Sequence, residues 1–503
     1  MVLKLHTLLK AVRRSLLLFS LLFLSLAVPL LAQPLAERVK EHRLSNGLKV
    51  LLVERHQAPI VALQIMFKAG GVNEHTGITG AAHMFEHMLF KGTKTLGTRD
   101  YARERLVLEK IDRLAEAIQQ ERRKGKAADP AKLRQLTKAL EEAQAEARRY
   151  LVPDEIGKIY AQNGAVGFNA FTSKDYTQYV VNLPANRIEL WMAIESDRLR
   201  NPVLREFYSE RDVVLEERRR SYEVRPIGRL FEHFMATAFQ AHPYRLPTIG
   251  WKSDIENLSK KVVEKFFRTY YIPNNAVIAI VGDIDPPGLL PKLERYFGSI
   301  PAGPPPPPVL TREPEQQGER RIEVLFDANP QLLIGYHKPA IWEEDDYVFD
   351  VISDLLSSGR TARLYRELVQ KRGIAQFVST FTVPGARYPN LFTIRAAPRQ
   401  PHTVEELEAA IYTEIDRLKK EAVTPRELQK VLNRLDAQLL RSLDSNSGLA
   451  RQLLYYEATA GTWRYLLTLR EKIAQVTPDD ILRVARTYLV KQNRTVAILH
   501  RGE

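Results

Sequence analysis

The sequence of 503 residues contains no cysteine, which excludes disulfide bonds, a cysteine-linked lipid anchor and thiolate ligands to a metal. Any metal site must therefore be built from histidine, aspartate and glutamate side chains. Beyond the N-terminus, the sequence also lacks an apolar run long enough for a membrane-spanning helix. With 45% hydrophobic and 27% charged residues, the body of the chain has the composition of an ordinary globular protein.

The N-terminus has the pattern of a secretory leader. Four basic residues lie among the first 14 residues, an apolar run from about residue 16 to 31 follows them, and Ala32 offers a small-residue cleavage site. We therefore predict a signal peptide over residues 1–32, export to the periplasm or the cell exterior, and no integral membrane span after cleavage. An uncleaved anchor is the alternative, although the run is short for that role.

The chain is basic, with a formal net charge of +14, of which the leader supplies four. A basic surface is compatible with nucleic-acid binding, but the sequence has no RNA- or DNA-binding motif with interleaved aromatic residues. Export also argues against such a partner. We therefore predict no nucleic-acid partner and interpret the charge as a solvated surface, which could lie near anionic lipid.

The strongest motif is His83-Met84-Phe85-Glu86-His87, an H-x-x-E-H pattern. On a helix, positions i and i+4 share one face, so both imidazoles can reach one ion, with Glu86 beside them. Two histidines and a third ligand leave zinc an open position for a water molecule. Zinc lowers the pKa of that water toward about 7, and a neighbouring carboxylate can take its proton. The pattern therefore predicts amide hydrolysis. A single buried histidine more often has a structural role. Three titratable groups in one apolar helix are costly to bury, and a structural role does not explain them.

A second acidic helix offers the missing ligand. It begins near residue 206 and carries Glu210 and Glu217, which are seven positions apart and so share a helix face. A solvated charged face is the simpler explanation for such a pair. Beside an incomplete two-histidine site, however, a carboxylate is the ligand that the chemistry lacks.

Residues 99–150 form a predicted insertion. Apolar residues recur at helical spacing on both sides of a break at residues 125–130, which predicts an antiparallel helical hairpin with a narrow apolar seam. The hairpin could be an arm that binds a partner or gates the substrate. A solvated insertion that packs only on itself is the alternative.

A run of five prolines within residues 301–318 predicts a semi-rigid linker. It separates a half at residues 40–300 from a half at residues 319–503. The triplet Arg-Thr-Tyr before a buried strand occurs at Arg268 and again at Arg486, an offset of 218 residues. We interpret this repeat as an internal duplication, in which only the first copy carries the H-x-x-E-H pattern.

Four stretches together point to a family. The first is His83–Thr93, which reads H-M-F-E-H-M-L-F-K-G-T, and the others are Phe168–Ser173, Glu210–Glu217 and Tyr271–Ala276. On these residues the chain resembles the pitrilysin and insulinase zinc metallopeptidases, the inverzincins. Within that family it is most similar to the bacterial relatives of the mitochondrial processing peptidase. The resemblance extends from about residue 40 to the C-terminus.

The resemblance implies the ligands of one zinc ion per chain. His83, His87 and Glu217 would bind Zn²⁺, and the family spacing selects Glu217 over the adjacent Glu216. The interval between His87 and Glu217 is longer than is usual in the family. The predicted insertion at residues 99–150 accounts for the excess.

The resemblance also implies roles around the metal. Glu86 would act as the general base, and Glu210 would support the site by orienting a ligand or the water. Asn169 and Ala170 would offer backbone groups to an extended peptide substrate, adding it as a strand to the edge of a sheet.

One departure from the family bears on partners. The family often has, in its second half, an arginine and, seven residues later, a tyrosine that together grip the substrate; our alignment places Val369 and Gln376 there. Losing one such donor costs on the order of a hundredfold in rate. The resemblance therefore suggests a heterodimer in which a homologous partner subunit supplies the pair. A self-sufficient homodimer, with Arg366 or Arg372 in that role after a local shift, is an alternative.

The expected fold class is α+β, with two homologous α/β halves like those of the mitochondrial processing peptidase. Each half would be a mainly antiparallel sheet covered by helices, and together they would enclose a chamber that admits peptides. The predicted function is a zinc-dependent endopeptidase that hydrolyses peptides or unfolded polypeptide segments. A non-catalytic scaffold or chaperone-like subunit is the alternative, although such a relative would be expected to have lost a ligand or the base.

Overall fold

A computed structural model describes residues 35–502, so the predicted leader at residues 1–32 lies outside the described residues. The chain divides into a unit of residues 1–40 and a unit of residues 41–503. In the first unit, the short helix α1 spans Leu35–Arg38. Within residues 35–502, every helix is too short or too polar to cross a membrane.

The first half is a six-stranded sheet with helices around it. Its strands are β1 Lys40–Arg43, β2 Lys49–Glu54, β3 Ile60–Phe67, β4 Val166–Thr172, β5 Thr177–Pro184 and β6 Ala276–Gly282. Its helices are α2 Ala81–Met88, α3 Tyr101–Arg123, α4 Pro130–Ala147, α5 Glu155–Gln162, α6 Ile188–Arg200, α7 Phe207–Arg218, α8 Pro226–Ala238, α9 Lys252–Asn257, α10 Lys260–Tyr270 and α11 Pro286–Leu293. The strand order is β1-β2-β6-β3-β5-β4, with β2 and β6 parallel and the pairs from β6 to β4 antiparallel.

The second half repeats this plan with five strands. They are β7 Arg320–Phe326, β8 Gln331–Lys338, β9 Ala375–Val383, β10 Asn390–Pro398 and β11 Arg494–Arg501. Its helices are α12 Asp346–Ser357, α13 Val404–Lys420, α14 Pro425–Asp444, α15 Asn446–Thr459, α16 Tyr465–Ala474 and α17 Pro478–Tyr488. The order is β7-β11-β8-β10-β9, again with one parallel pair, β7 with β11. The predicted fold of two mainly antiparallel halves is therefore confirmed.

Strand β6, in the interior of the first sheet, shows why the sequence folds this way. Every residue of β6 is buried, and its sequence A-V-I-A-I-V-G is a continuous small and β-branched run without polar alternation. Such a run fits a strand that is covered on both faces. The same local signal precedes β6 and its counterpart β11. In both halves an amphipathic helix, α10 or α17, is followed by a tight turn and then by the strand.

The two halves exchange helices. Helix α8 of the first half packs on β7, β8 and β11, where Leu230 and Phe234 join Leu333 and Leu499 in one buried cluster. Helix α15 of the second half packs on β3 and β6. Each sheet therefore needs a helix from the other half to cover one face, which makes the two halves one folding unit.

The predicted helical hairpin is formed by α3 and α4, and its ends meet in a bridge between Thr98 and Leu151. Its seam residues Val107 and Ala143 cluster with Val203, which belongs to the body of the first half. Ion pairing adds a second contact, because Asp112 lies 2.9 Å from the ammonium of Lys260. The hairpin thus lies along the first half, and the alternative that it packs only on itself is wrong.

Candidate metal centre

Helix α2 is held at its start by a buried carboxylate. Glu74 accepts hydrogen bonds from the backbone amides of Gly80 and Ala82, at 2.9 and 2.7 Å, which satisfies two amides that the first turn leaves without intrahelical partners. Gly80 has a positive φ of 87°, and a Cβ there would lie 2.6 Å from the carbonyl oxygen of Ile249. This close approach fixes where the helix begins, and with it the position of the two histidines.

The histidines of α2 converge with a carboxylate of α7. His83 Nε2 and His87 Nε2 lie 3.7 and 3.6 Å from Glu217 Oε2, and one ligand atom from each residue lies within 4.8 Å of the others. Tetrahedral zinc with bonds of about 2.0–2.1 Å separates its ligand atoms by about 3.4 Å. The three side chains therefore fit the ion. Within residues 35–502 they are the one group of histidine, aspartate and glutamate side chains close enough to hold a metal.

The adjacent carboxylate is directed elsewhere. Glu216 lies 2.7 Å from both Arg219 and Arg220, one turn further along the chain. Neighbouring residues of a helix point about 100° apart, so only one of the two glutamates can face α2. The structure places Glu217 there, at 130 residues from His87 in the sequence.

The electrostatics of His83 suit a neutral ligand. Burial, and then the neighbouring charge of His87, lower the pKa of His83 to about 3. The ring is therefore unprotonated at neutral pH and keeps a lone pair for an ion. Its other nitrogen, Nδ1, is buried and has no hydrogen-bond partner among the described residues.

His87 is held differently, because its Nδ1 lies 2.9 Å from Glu210 Oε1. Burial lowers the pKa of His87, but the hydrogen bond and charge of Glu210, with Glu86 and Glu217, outweigh burial and raise it. Glu210 is not a member of the ligand group and touches the ring from the side away from the ligand atom. A carboxylate in this place fixes the ring orientation and strengthens the imidazole as a donor.

Lys91 completes this network and was not predicted from the sequence. Its ammonium lies 2.6 Å from Glu210 Oε2. Burial raises the pKa of Glu210, but its hydrogen bonds with His87 and Lys91 outweigh that and lower it, which keeps the carboxylate charged. Lys91 belongs to the stretch that carries the family resemblance, and this was the one signal that could have pointed to it.

Glu86 is buried, with 8% of its surface exposed, and lies on the same helix between the two histidines. The hydroxyl of Thr172 donates a hydrogen bond of 2.6 Å to Glu86 Oε2. Burial raises the pKa of Glu86 despite this bond and the charge of His87. A carboxylate with a raised pKa is a better proton acceptor than one in water, which suits a general base.

Strand β4 lies beside this centre at the edge of the sheet. Within residues 35–502 it pairs with β5 alone, where Asn169 faces Val180 and Ala170 faces Tyr179, and its register shifts between Val166 and Asn169. Asn169 is exposed, whereas Ala170 is buried. The other edge of β4 therefore has backbone groups available for an added strand.

A cavity of about 440 Å³ opens next to Glu86 and His87. Asn169 of the edge strand lines it, and so do Phe90 in the turn after α2 and Leu151 at the base of the hairpin. Glu86, His87, the strand edge and the hairpin base thus share one space.

The residues considered for the substrate grip lie in the second half. Val369 falls in the π-helical turn Tyr365–Lys371, and Gln376 lies in β9. The charge of Arg366 acts on Glu414 and Glu427, and that of Arg372 acts on Glu406, all of them second-half carboxylates.

Comparison with known families identifies two matching sequence models. The model described as Insulinase (Peptidase family M16) matches residues 49–107 and 153–252. The model described as Peptidase M16 inactive domain matches residues 257–435. Together the matches cover more than half of the chain, and the interval between residues 107 and 153 contains most of the helical hairpin.

Similar proteins carry protease names. The zinc protease PqqE of Helicobacter pylori is 27% identical over 97% of this chain and 99% of that protein. A probable β subunit of the mitochondrial-processing peptidase of Arabidopsis thaliana is 22% identical over 91% of this chain and 77% of that protein.

Solved structures show the same fold. A protease from Helicobacter pylori superposes with a TM-score of 0.77 and 26% identity, over 92% of this chain and 99% of that one. The periplasmic protease PqqL of Escherichia coli superposes with a TM-score of 0.68 and 17% identity, over 94% of this chain and 48% of that one.

Proposed function

The chain belongs to the insulinase family, peptidase family M16, and from that membership we propose that it is a zinc-dependent endopeptidase for peptides or unfolded polypeptide segments. The observation that carries this proposal is the convergence of His83, His87 and Glu217, with Glu86 beside them. Relatives that are named zinc proteases over nearly the full length of the chain support it.

Three side chains would hold the ion: His83, His87 and Glu217. When bound, zinc supplies a Lewis acid that polarises a carbonyl group and acidifies water. The neutral His83 ring offers its lone pair without first losing a proton, because its pKa is about 3. Glu210 holds the His87 ring from its other nitrogen, so that ring does not need to reorient when the ion binds.

Glu86 would move the protons. Its carboxylate would accept one from the attacking water and deliver it to the nitrogen of the leaving amine, so that the amide bond breaks without a charged amide anion. Thr172 holds Oε2 of this carboxylate through its 2.6 Å hydrogen bond, which limits the side chain to one orientation. Burial keeps the pKa of Glu86 raised, which favours transfer in both directions near neutral pH.

The substrate would bind as an added strand on the free edge of β4. The backbone of Asn169 and Ala170 would pair with the extended peptide, and one substrate side chain would enter the cavity of about 440 Å³ beside Glu86. Main-chain pairing is independent of sequence, so this mode suits peptides and unfolded segments rather than folded proteins.

We further propose a domain assignment, an export signal and a partner. Residues 1–32 would be a signal peptide, residues 40–300 the zinc-bearing domain, residues 301–318 the linker, and residues 319–503 the homologous domain without metal. The exported protein would act in the periplasm, where the E. coli neighbour PqqL is described as located. A homologous partner subunit would supply the substrate grip, because our alignment places Val369 and Gln376 at the positions of the gripping pair.

The central experiment compares wild type with Glu86→Gln. We expect both proteins to contain one zinc ion per chain by elemental analysis, because this substitution removes no ligand. Peptidase activity should fall by roughly 10²–10⁴-fold, since proton transfer by a positioned carboxylate is lost. Unchanged activity in Glu86→Gln would contradict the catalytic role, and a wild type with zinc but no activity on any peptide would favour the scaffold hypothesis.

A second measurement tests the partner. The purified chain alone should cleave unfolded peptide at least about a hundredfold more slowly than the chain mixed with its partner subunit. Full activity of the isolated chain would refute the heterodimer. Loss of that activity in Arg366→Ala or Arg372→Ala would then favour the self-sufficient homodimer.

A further inference from the structure

A buried ion pair joins the helical hairpin to the body of the first half. Glu104, in the first turn of α3, accepts a hydrogen bond of 2.7 Å from Arg205 Nε. Both side chains are almost completely enclosed, with 2% and 1% of their surfaces exposed. Arg205 lies two residues before α7, the helix that carries Glu210 and Glu217.

The same guanidinium binds the segment that follows α2. Arg205 Nη1 donates to the carbonyl oxygens of Lys91 and Leu96, each at 3.2 Å, and Nη2 donates to the carbonyl of Thr93. Three backbone carbonyls from one short loop therefore meet one planar donor. Arginine suits this task because its donors form a rigid fork, which a lysine ammonium cannot reproduce.

Lys91 continues the connection to the metal ligands. Its backbone carbonyl is held by Arg205, and its side chain lies 2.6 Å from Glu210 Oε2. Glu210 Oε1 in turn lies 2.9 Å from His87 Nδ1. A continuous series of polar contacts thus runs from Glu104 on the hairpin to the His87 ring.

The energetics argue for a positioning role. A buried ion pair often contributes little net stability, because desolvation of both charges offsets their attraction, and apolar residues could fill the same space. Here the pair is also incompletely satisfied, since Glu104 Oε2 is buried without a hydrogen-bond partner among the described residues. What the pair does provide is a fixed geometry for Arg205, and through it for the loop after α2.

We propose that Glu104 is a positioning residue for the metal centre, and that the hairpin holds His87 in place through Arg205, Lys91 and Glu210. This inference rests on the proposed function, because it assumes that His83, His87 and Glu217 bind zinc. The hairpin then acts as a brace for the ligand helix rather than as a free arm.

The same helix offers a matched control. Glu121, near the far end of α3, is also 2% exposed, and it lies 2.8 and 3.1 Å from the ammonium groups of Lys124 and Lys132. It therefore stabilises the tip of the hairpin without contact to the loop after α2. Glu104→Gln and Glu121→Gln remove one buried charge each from one helix.

The test measures zinc affinity by competition with a chromophoric chelator, using the full-length chain. We expect Glu104→Gln to bind zinc about 10-fold more weakly than wild type. This is the low end of the loss for removing a direct partner of a metal ligand, because Glu104 acts on His87 only through intermediate contacts. Glu121→Gln should bind zinc as tightly as wild type, although both variants should lower the thermal midpoint of the metal-free protein. Glu104→Asp, which keeps the charge, should recover part of the affinity if Glu104→Gln folds poorly.

Kinetics give an independent readout. The zinc-saturated Glu104→Gln protein should show a reduced kcat with little change in KM, because the edge of β4 is untouched. Equal zinc affinity in Glu104→Gln and wild type, or an equal loss in Glu121→Gln, would overturn the proposal. A wild type that binds zinc but cleaves nothing would refute the proposed function alone, since the affinity comparison would still apply.

Discussion

The helices α2 and α12 occupy equivalent places in the two halves but carry opposite chemistry. Helix α2 packs against β4, α7 and α10, and α12 packs against the corresponding β9, α14 and α17. At the spacing where α2 has His83 and His87, α12 has Asp350 and Asp354. One duplicated scaffold therefore presents imidazoles in one half and carboxylates in the other.

The helices that pack on α2 and α12 also carry side chains of opposite charge. In the first half, Glu210 of α7 holds His87, whereas in the second half Arg434 of α14 lies 3.1 Å from Asp354 Oδ1. The apolar pattern that builds the layers is kept in both halves, and the described residues that could hold a metal ion lie in the first half. This difference teaches that the fold tolerates either charge arrangement, so the proposed activity depends on a few polar positions.

Substitutions in α2 and α12 should show the largest difference between the two halves, measured as zinc content. His87→Ala removes one of the three proposed zinc ligands, and we expect the zinc content after dialysis to fall from one ion per chain to nearly none. Asp354→Asn alters α12 in its own pair of residues at the same spacing and should leave the zinc content unchanged. Elemental analysis of both variants checks this, and equal zinc loss in the two would place the metal elsewhere.

Breaking the contact between the halves should have the next largest effect. Glu457 of α15 lies 2.6 Å from Lys49 of β2, and both are buried. Glu457→Gln leaves Lys49 with Glu41, at 3.2 Å, as its remaining carboxylate. The free energy of unfolding should therefore fall by roughly 2 kcal/mol, less than for a buried charge left with no partner. As a control, Asp436→Asn breaks an exposed pair with Arg470 and should cost less than about 1 kcal/mol in the same denaturant titration. Similar losses would show that the halves do not depend on this pair.

The free energy of unfolding should depend on pH through Asp350 in α12, the acidic helix of the second half. Burial, and then the like charge of Asp346, raise the pKa of Asp350 to about 7. The pKa of an aspartate in the unfolded chain is about 3.9. Between about pH 4 and pH 7 the folded protein therefore binds more protons than the unfolded chain, and the free energy of unfolding falls as the pH rises.

Asp350→Asn removes this penalty. The variant should exceed wild type in free energy of unfolding by on the order of 1–3 kcal/mol at about pH 8 and by almost nothing at about pH 4. Denaturant titrations at the two pH values check the difference. The same gain at both pH values would mean that burial of charge at Asp350 is not its cause.

Much of the fold could be predicted because its signals are local or repeated. The continuous apolar run of β6, the amphipathic α10 before it, and the recurrence of both in the second half predict paired sheets without any tertiary information. The helix exchange could not be predicted, since α8 and α15 have ordinary apolar faces whose pattern does not specify which sheet they cover.

The contacts of the candidate site also divide into some that the sequence predicts and others that it does not. His83, Glu86 and His87 lie within five residues, so helical spacing alone brings them together. The contacts of Thr172 with Glu86 and of Lys91 with Glu210 join distant segments, and no period in the sequence encodes them.

By itself the sequence determined the chemistry that is available: two imidazoles and a carboxylate on one helix turn, in a chain without cysteine. Tertiary structure alone decided that Thr172 holds Glu86, that Lys91 holds Glu210, and that the hairpin reaches this network through a buried arginine. The physical reason is distance along the chain. Local geometry fixes neighbours within a helical turn, whereas partners on the order of 100 residues away meet only because the packed sheets and helices bring them there.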